Sequence, residues 1–167
     1  MLNIKVSRVA QADADALIDA NRKSAAYHSP WVKPFIDQEG FDVWYGKMLT
    51  GPNIGYVVRG AETDRIVGVV HLSEIVWGVF RSAYLSYFGT VHSSRKGFMT
   101  EGVSQVCGQA FDELGLHRLE ANIQPGNSAS LALIKRVGFH KEGFSPRYLR
   151  IDGEWRDHER WALLADT

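Results

Sequence analysis

A lone cysteine, Cys107, rules out any disulfide within this chain, and a cytoplasmic home is the expectation. Excess charge of either sign is missing too, because 19 Lys and Arg residues balance 19 Asp and Glu residues. No overall field therefore draws the chain to nucleic acid or to an anionic membrane, and neither partner is expected. No apolar run approaches the ~20 residues of a membrane-spanning helix. The first residues, Met-Leu-Asn-Ile-Lys-Val, read as a strand and lack the pattern of a signal peptide. Internal repeats, low-complexity tracts and linkers are absent, and no metal site is expected. What is left is an ordinary globular composition, 45% hydrophobic and 23% charged, in a length that suits one domain over 1–167.

The most distinctive stretch runs from Tyr84 to Thr100. It reads as a strand, a short basic turn with one glycine, and the start of a helix. Val103, Val106, Cys107, Ala110, Phe111 and Leu114 then recur on one face at the helical period, and Gly115 follows as a stop. On that face Cys107 is a small buried hydrophobe rather than a nucleophile. The first amides of a helix have no partners within it, and the helix dipole adds positive charge there. Arg95 and Lys96 add formal charge, and Gly97 lets a ligand approach the backbone, so the turn suits a phosphate or pyrophosphate. The plainer reading is a strand-to-helix connection with two solvated cations. Residue types alone favour it, because neither a Walker loop nor a dinucleotide glycine fingerprint is present.

Elsewhere, periodicity predicts a strand over Leu2–Val9 and a helix over Ala12–Asn21. An irregular aromatic segment holds Tyr27, His28, Trp31 and Phe35, where Pro30 and Pro34 break any long helix. A second helix is expected over Gln38–Leu49, and strands over Asn53–Arg59, Ile66–Glu74 and Ser82–Thr90. The link Trp77-Gly78-Val79-Phe80 is oddly apolar. Three readings stand open for it: a strand extension, a lid on a binding site, or an oligomer contact. A strand over Arg118–Ile123, a helix over Ser128–Arg136 capped by Asn127 and Gly138, and a hairpin of Phe144–Ile151 with Glu154–Leu164 around Asp152-Gly153 complete the chain. The sum is an α+β fold: a mixed, mostly antiparallel sheet with helices on both faces.

A second motif changes the weight of the first. Gln124-Pro-Gly-Asn127-Ser-Ala-Ser130 leads into a helix ending Val137-Gly138-Phe139. Strand, Arg-Lys-Gly-Phe-Met-Thr-Glu, helix, strand, Asn-x-x-Ser, helix, Val-Gly-Phe resembles the GNAT superfamily of acetyl-CoA-dependent N-acetyltransferases. The tail, Tyr148-Leu-x-Ile-Asp-Gly-x-Trp155-Arg-Asp-His158, resembles the RimJ/RimL branch, which acetylates ribosomal-protein N-termini. The resemblance covers nearly the whole chain, most strongly Ala83 to Leu164.

The resemblance implies the GNAT fold and acetyl-CoA as co-substrate. It implies backbone groups at Phe88, Gly89 and Thr90 for the pantetheine arm and acetyl carbonyl, and Ser94, Arg95, Lys96, Gly97, Phe98, Met99 and Thr100 for the pyrophosphate. Ser94 departs from the usual Gln or Arg, with Arg95 as the replacement donor. Asn127 serves as cap and pantetheine contact. The family's frequent proton-donating tyrosine falls on Ile134, so Ser130 is the expected acid. Glu74 is the expected base, with His71, His92 and Tyr148 as alternatives and unassisted attack as another. Tyr27, His28 and Trp31 form one wall for the acceptor. That acceptor is a protein N-terminal amine, or alternatively an antibiotic or polyamine. An idle acetyl-CoA-binding domain and a homodimer remain further readings.

Overall fold

The structure is a computed structural model that describes residues 2–166. Seven strands form one sheet: β1 (Ile4–Arg8), β2 (Ile54–Gly60), β3 (Ile66–Val76), β4 (Ser82–Gly89), β5 (Arg118–Ile123), β6 (His140–Ile151) and β7 (Glu154–Leu164). Their spatial order is β1-β2-β3-β4-β5-β7-β6, and every pair is antiparallel except β4 with β5. A parallel pair needs a long crossover, and helix α4 (Phe98–Asp112) supplies it. The other helices are α1 (Ala14–Lys23), the single turn α2 (Ala25–His28), α3 (Gln38–Leu49) and α5 (Ser128–Val137).

Both faces of the sheet are covered, which is why β2 and β3 read as apolar runs rather than alternations. Side chains of successive residues still point to opposite faces. Val57, Val69 and Phe88 pack with Leu17 of α1 and Phe41 of α3. Tyr56, Val58, Val70 and Leu72 pack with Val103, Val106 and Cys107 of α4 and Ile134 of α5. Burial pushes the Cys107 thiol up to about 12, so it stays protonated within the core.

β4 and β5 pair over a short stretch only, Ser82 with Arg118, Ala83 with Leu119 and Tyr84 with Glu120. Beyond Tyr84 the two strands part. β5 continues against β7, and β4 from Leu85 to Gly89 keeps β3 alone. The Trp77–Phe80 segment is neither a strand extension nor a lid on the resulting cleft. β3 ends at Val76, and the exposed turn lies at the end of β4 away from Gly89.

Near Gly89 the sheet and α4 meet with no room to spare. A Cβ on Gly68 would stand 2.5 Å from the Phe88 carbonyl oxygen, 2.5 Å from Met99 Sδ and 3.0 Å from Gly89 Cα. The sulfur can yield; the backbone cannot. Gly68→Ala is therefore expected to cost about 1–3 kcal/mol of stability as overpacking. Urea unfolding checks this: the midpoint falls while the slope m is unchanged.

Candidate active site

The parting of β4 and β5 makes a cleft with two branches. One, of about 170 Å³, runs from Tyr87 past Gly89 and Met99 toward the start of α4. The other, of about 190 Å³, runs between Leu85–Tyr87 and Ala121–Gln124 toward Leu149 and His158. Tyr87, Asn127, Ser130, Trp31 and Val32 line both, so they mark the junction.

Strand alternation decides which backbone groups face the cleft. The Thr90 amide donates to Val67 of β3 at 2.9 Å. Alternate residues present their amide and carbonyl to the same neighbour, so Phe88 also faces β3. The groups of Leu85, Tyr87 and Gly89 face the side that β5 has left. The expected trio of Phe88, Gly89 and Thr90 is corrected accordingly. Gly89 keeps its place, and Tyr87 replaces its neighbours. The Thr90 hydroxyl is spent on Ile66 and Val67 carbonyls at 3.3 and 3.2 Å, and the residue is buried.

The basic turn is built as a helix entry without a side-chain cap. Arg95 (φ 60°) and Gly97 (φ 82°) both take left-handed backbone, and Gly97 takes it at the N-cap position. Glu101 donates to the Gly97 carbonyl at 3.1 Å, so the amides of Phe98, Met99 and Thr100 lack helical partners. Arg95 and Lys96 are exposed beside them. The Phe98 and Met99 side chains pack partly on the core, and Met99 also lines the first branch. The Ser94 hydroxyl donates to the Val91 carbonyl three residues back at 2.8 Å, and Arg95 and Lys96 are the turn's side-chain cations.

At the junction, Asn127 Oδ1 accepts from the Ser130 amide at 3.3 Å, the N-cap bond of α5. Trp31 lies over this loop, since a Cβ on Gly126 would meet its ring at 3.1 Å. The Ser130 hydroxyl sits 2.7 Å from the Tyr87 phenol, which also donates to the Ser130 carbonyl at 3.2 Å. Burial pushes the Tyr87 phenol up to about 12, against the opposing bond from Ser130. Tyr87 thus brings a phenol to Ser130, whereas Ile134 is fully buried in the core and lines neither branch. Tyr87 stands in no motif of the sequence. Its signal is period-two spacing from Gly89 along β4.

His28 lines the first branch but is buried there and bonded to the backbone. It is 4% accessible, its ring meets Phe88 edge-on, and its Nε2 is 2.7 Å from the Gly89 carbonyl. A carbonyl only accepts, so Nε2 carries the proton. Burial lowers its pKa, partly offset by that bond. Tyr27, His28 and Trp31 all line the first branch, and of the three only Trp31 also lines the second.

The expected bases are not brought together. Glu74 sits exposed at the bulge of β3 with φ 51°, its amide donating to Asn53 at 3.4 Å, and lines neither branch. His71 and His92 line neither branch, and each has a buried ring nitrogen without a partner. Tyr148 stands behind His158, with ring centroids 6.3 Å apart.

Residues 3–140 match the family model described as an acetyltransferase (GNAT) domain. The chain is 41% identical over 104 residues to the probable N-acetyltransferase YjcK of Bacillus subtilis, covering 62% of this chain and 58% of that protein. It is 40% identical over 102 residues to the [ribosomal protein uS5]-alanine N-acetyltransferase of Escherichia coli, covering 61% and 53%. The chain thus spans little more than half the length of these curated relatives. Among solved structures it resembles Mycobacterium smegmatis RimJ in complex with CoA-disulfide, with a TM-score of 0.86, 26% identity, and coverage of 97% and 82%.

Burial holds the His71 pKa down at about 4. An unfolded histidine binds its proton near ~6.5. Between those values the unfolded chain carries more protons, so the stability contribution is complete above about 6.5 and is lost as pH falls toward 4. His71→Gln should flatten this part of the acid limb, read as a smaller drop in urea midpoint between pH 7 and pH 5.

Proposed function

Since the chain belongs to the GNAT acetyltransferase domain family, we propose that it moves an acetyl group from acetyl-CoA to a protein N-terminal α-amine. A ribosomal protein is the first candidate target. The observation that carries this reading is the two-branched cleft with Tyr87 and Ser130 at its junction. Its residues fit the co-substrate. The free amides before α4, with Arg95 and Lys96, suit a pyrophosphate, and the unpaired edge of β4 suits an amide-bearing arm. The thioester supplies the acetyl group.

The cleft-facing amides of Tyr87 and Gly89 are positioned to stabilise negative charge developing on the acetyl oxygen. One such donor is worth about 3 kcal/mol. Ser130 and Tyr87 would meet the leaving sulfur. A phenol at about 12 does not surrender its proton to a thiolate whose acid has a pKa near ~8.5. The pair therefore hydrogen-bonds the thiolate and passes a proton on from water. Tyr87 keeps Ser130 oriented for that.

The acceptor branch favours a peptide over a polyamine. Leu85, Asn122, Gln124, Leu149 and Ile151 line it, and none of its lining residues is acidic. A polyamine brings several positive charges that need carboxylates once desolvated. A peptide N-terminus brings one amine and a backbone that Asn122 and Gln124 can hydrogen-bond.

The test is thiol release from acetyl-CoA with peptides beginning Ala or Ser set against spermidine. Turnover confined to peptides is expected; turnover on spermidine alone would replace the acceptor assignment. Coenzyme A binding measured by calorimetry without turnover on any amine would mark an idle binding domain. Tyr87→Phe and Ser130→Ala should each lower kcat about 10-fold or more and leave coenzyme A affinity within about threefold. The double variant should fall short of the product of the two losses, because the residues act as a pair.

A further inference from the structure

Resting on the acetyltransferase reading, we propose that His158 is the proton acceptor for the attacking amine. No motif marks it as a base, and its case is geometric. His158 lies on β7 where the hairpin with β6 is irregular, paired with Ser145 next to the register shift. It is 3% accessible, yet it lines the acceptor branch, the cavity that also holds Tyr87 and Ser130.

Its Nδ1 is 2.9 Å from the carbonyl oxygen of Arg156 on the same strand. That oxygen has no proton to give, so Nδ1 carries the hydrogen and Nε2 keeps the lone pair. The backbone thus sets the tautomer and holds the ring. Nδ1 of His28, Nδ1 of His71 and Nε2 of His92 are each buried without a partner, and Nε2 of His158 is not among these sealed atoms. The ionisable groups nearest this position are Tyr87, which lines the same cavity from β4, Tyr148 of β6, whose ring centroid is 6.3 Å away, and Arg160, whose Nε donates to the hydroxyl of Ser145, the residue paired with His158. The α5 side offers Asn127 and Ser130, and no Asp, Glu, Lys or Arg lines this branch.

The balance closes with groups already named. The amine nitrogen bonds to the acetyl carbon, the carbon–sulfur bond breaks, and the proton lost by the nitrogen goes to His158 Nε2. The leaving thiolate takes its own proton through Ser130 from water. An α-amine has a pKa near ~8 and is partly neutral at pH 7, so only a weak base is needed to take its proton as the bond forms. A lysine side chain at ~10.4 would need far more help, so this base also favours α-amines.

His158→Asn tests the assignment, because the shorter amide retains a donor for the Arg156 carbonyl and removes the base. His158→Gln is the second variant, and urea midpoints confirm that both fold. The expected result is a fall in kcat of about 100-fold at pH 7 with peptide acceptor, loss of the acid limb in the pH profile of kcat/KM, and coenzyme A affinity unchanged by calorimetry. Imidazole in solution should restore part of the rate to His158→Gly. A folded Asn or Gln variant that keeps kcat within threefold and the same profile overturns the assignment and leaves the acetyltransferase reading intact. A wild-type protein that binds no coenzyme A overturns both.

Discussion

The parting of β4 from β5 after Tyr84 is the constraint on which the rest of the site depends. A sheet strand normally satisfies its amides and carbonyls on both sides, and an unpaired buried group costs free energy comparable to a lost hydrogen bond. From Leu85 to Gly89 one side of β4 has no strand beside it. The fold answers one of these vacancies internally, with the His28 ring on the Gly89 carbonyl. The remaining groups line the cleft, where a ligand's amides and carbonyls can meet them. The α4 entry follows the same logic. Its first amides are unpaired, uncapped by any side chain, and flanked by two exposed cations. Both halves of the candidate cofactor path are therefore backbone groups that secondary structure left over.

Burial sets the protonation of the side chains around this opening. It raises the Tyr87 phenol and the Cys107 thiol, and it lowers His28 and His71. These are the directions expected when a low-dielectric interior disfavours charge. The branch toward Leu149 and His158 likewise has no carboxylate, lysine or arginine in its lining. Such surroundings suit a neutral amine and a thioester, whose charges appear only as the bond is made. They explain why backbone dipoles and hydrogen-bonded pairs, rather than formal charges, surround the junction.

Much of this was legible along the chain. Helix α3 spans Gln38–Leu49 as its apolar spacing indicates, and Asp37 caps it by accepting from Gly40. β5 and β7 run end to end over the expected spans, and Asp152-Gly153 forms the turn between β6 and β7. Asn127 caps α5, and Gly97 takes positive φ at the head of α4. These are local events, decided by a few neighbouring residues. The errors share one cause. Glu74 is adjacent to an apolar strand, but the bulge there takes it out of reach of the cleft. Thr90 follows Gly89 in the chain, yet strand alternation hands its amide to β3.

The sequence by itself determined the elements, their order, the basic helix entry, the capped Asn127 turn and the family, because each rests on periodicity, turn chemistry or motif spacing within a short span. Only the tertiary structure decided where β4 and β5 separate, that Tyr87 reaches Ser130 from another element, that His28 is spent on Gly89, and that His158 lines the same cavity as Tyr87 and Ser130. Those facts depend on register and on which side of a strand each backbone group faces. A single-residue slip reverses both, and no local pattern encodes them.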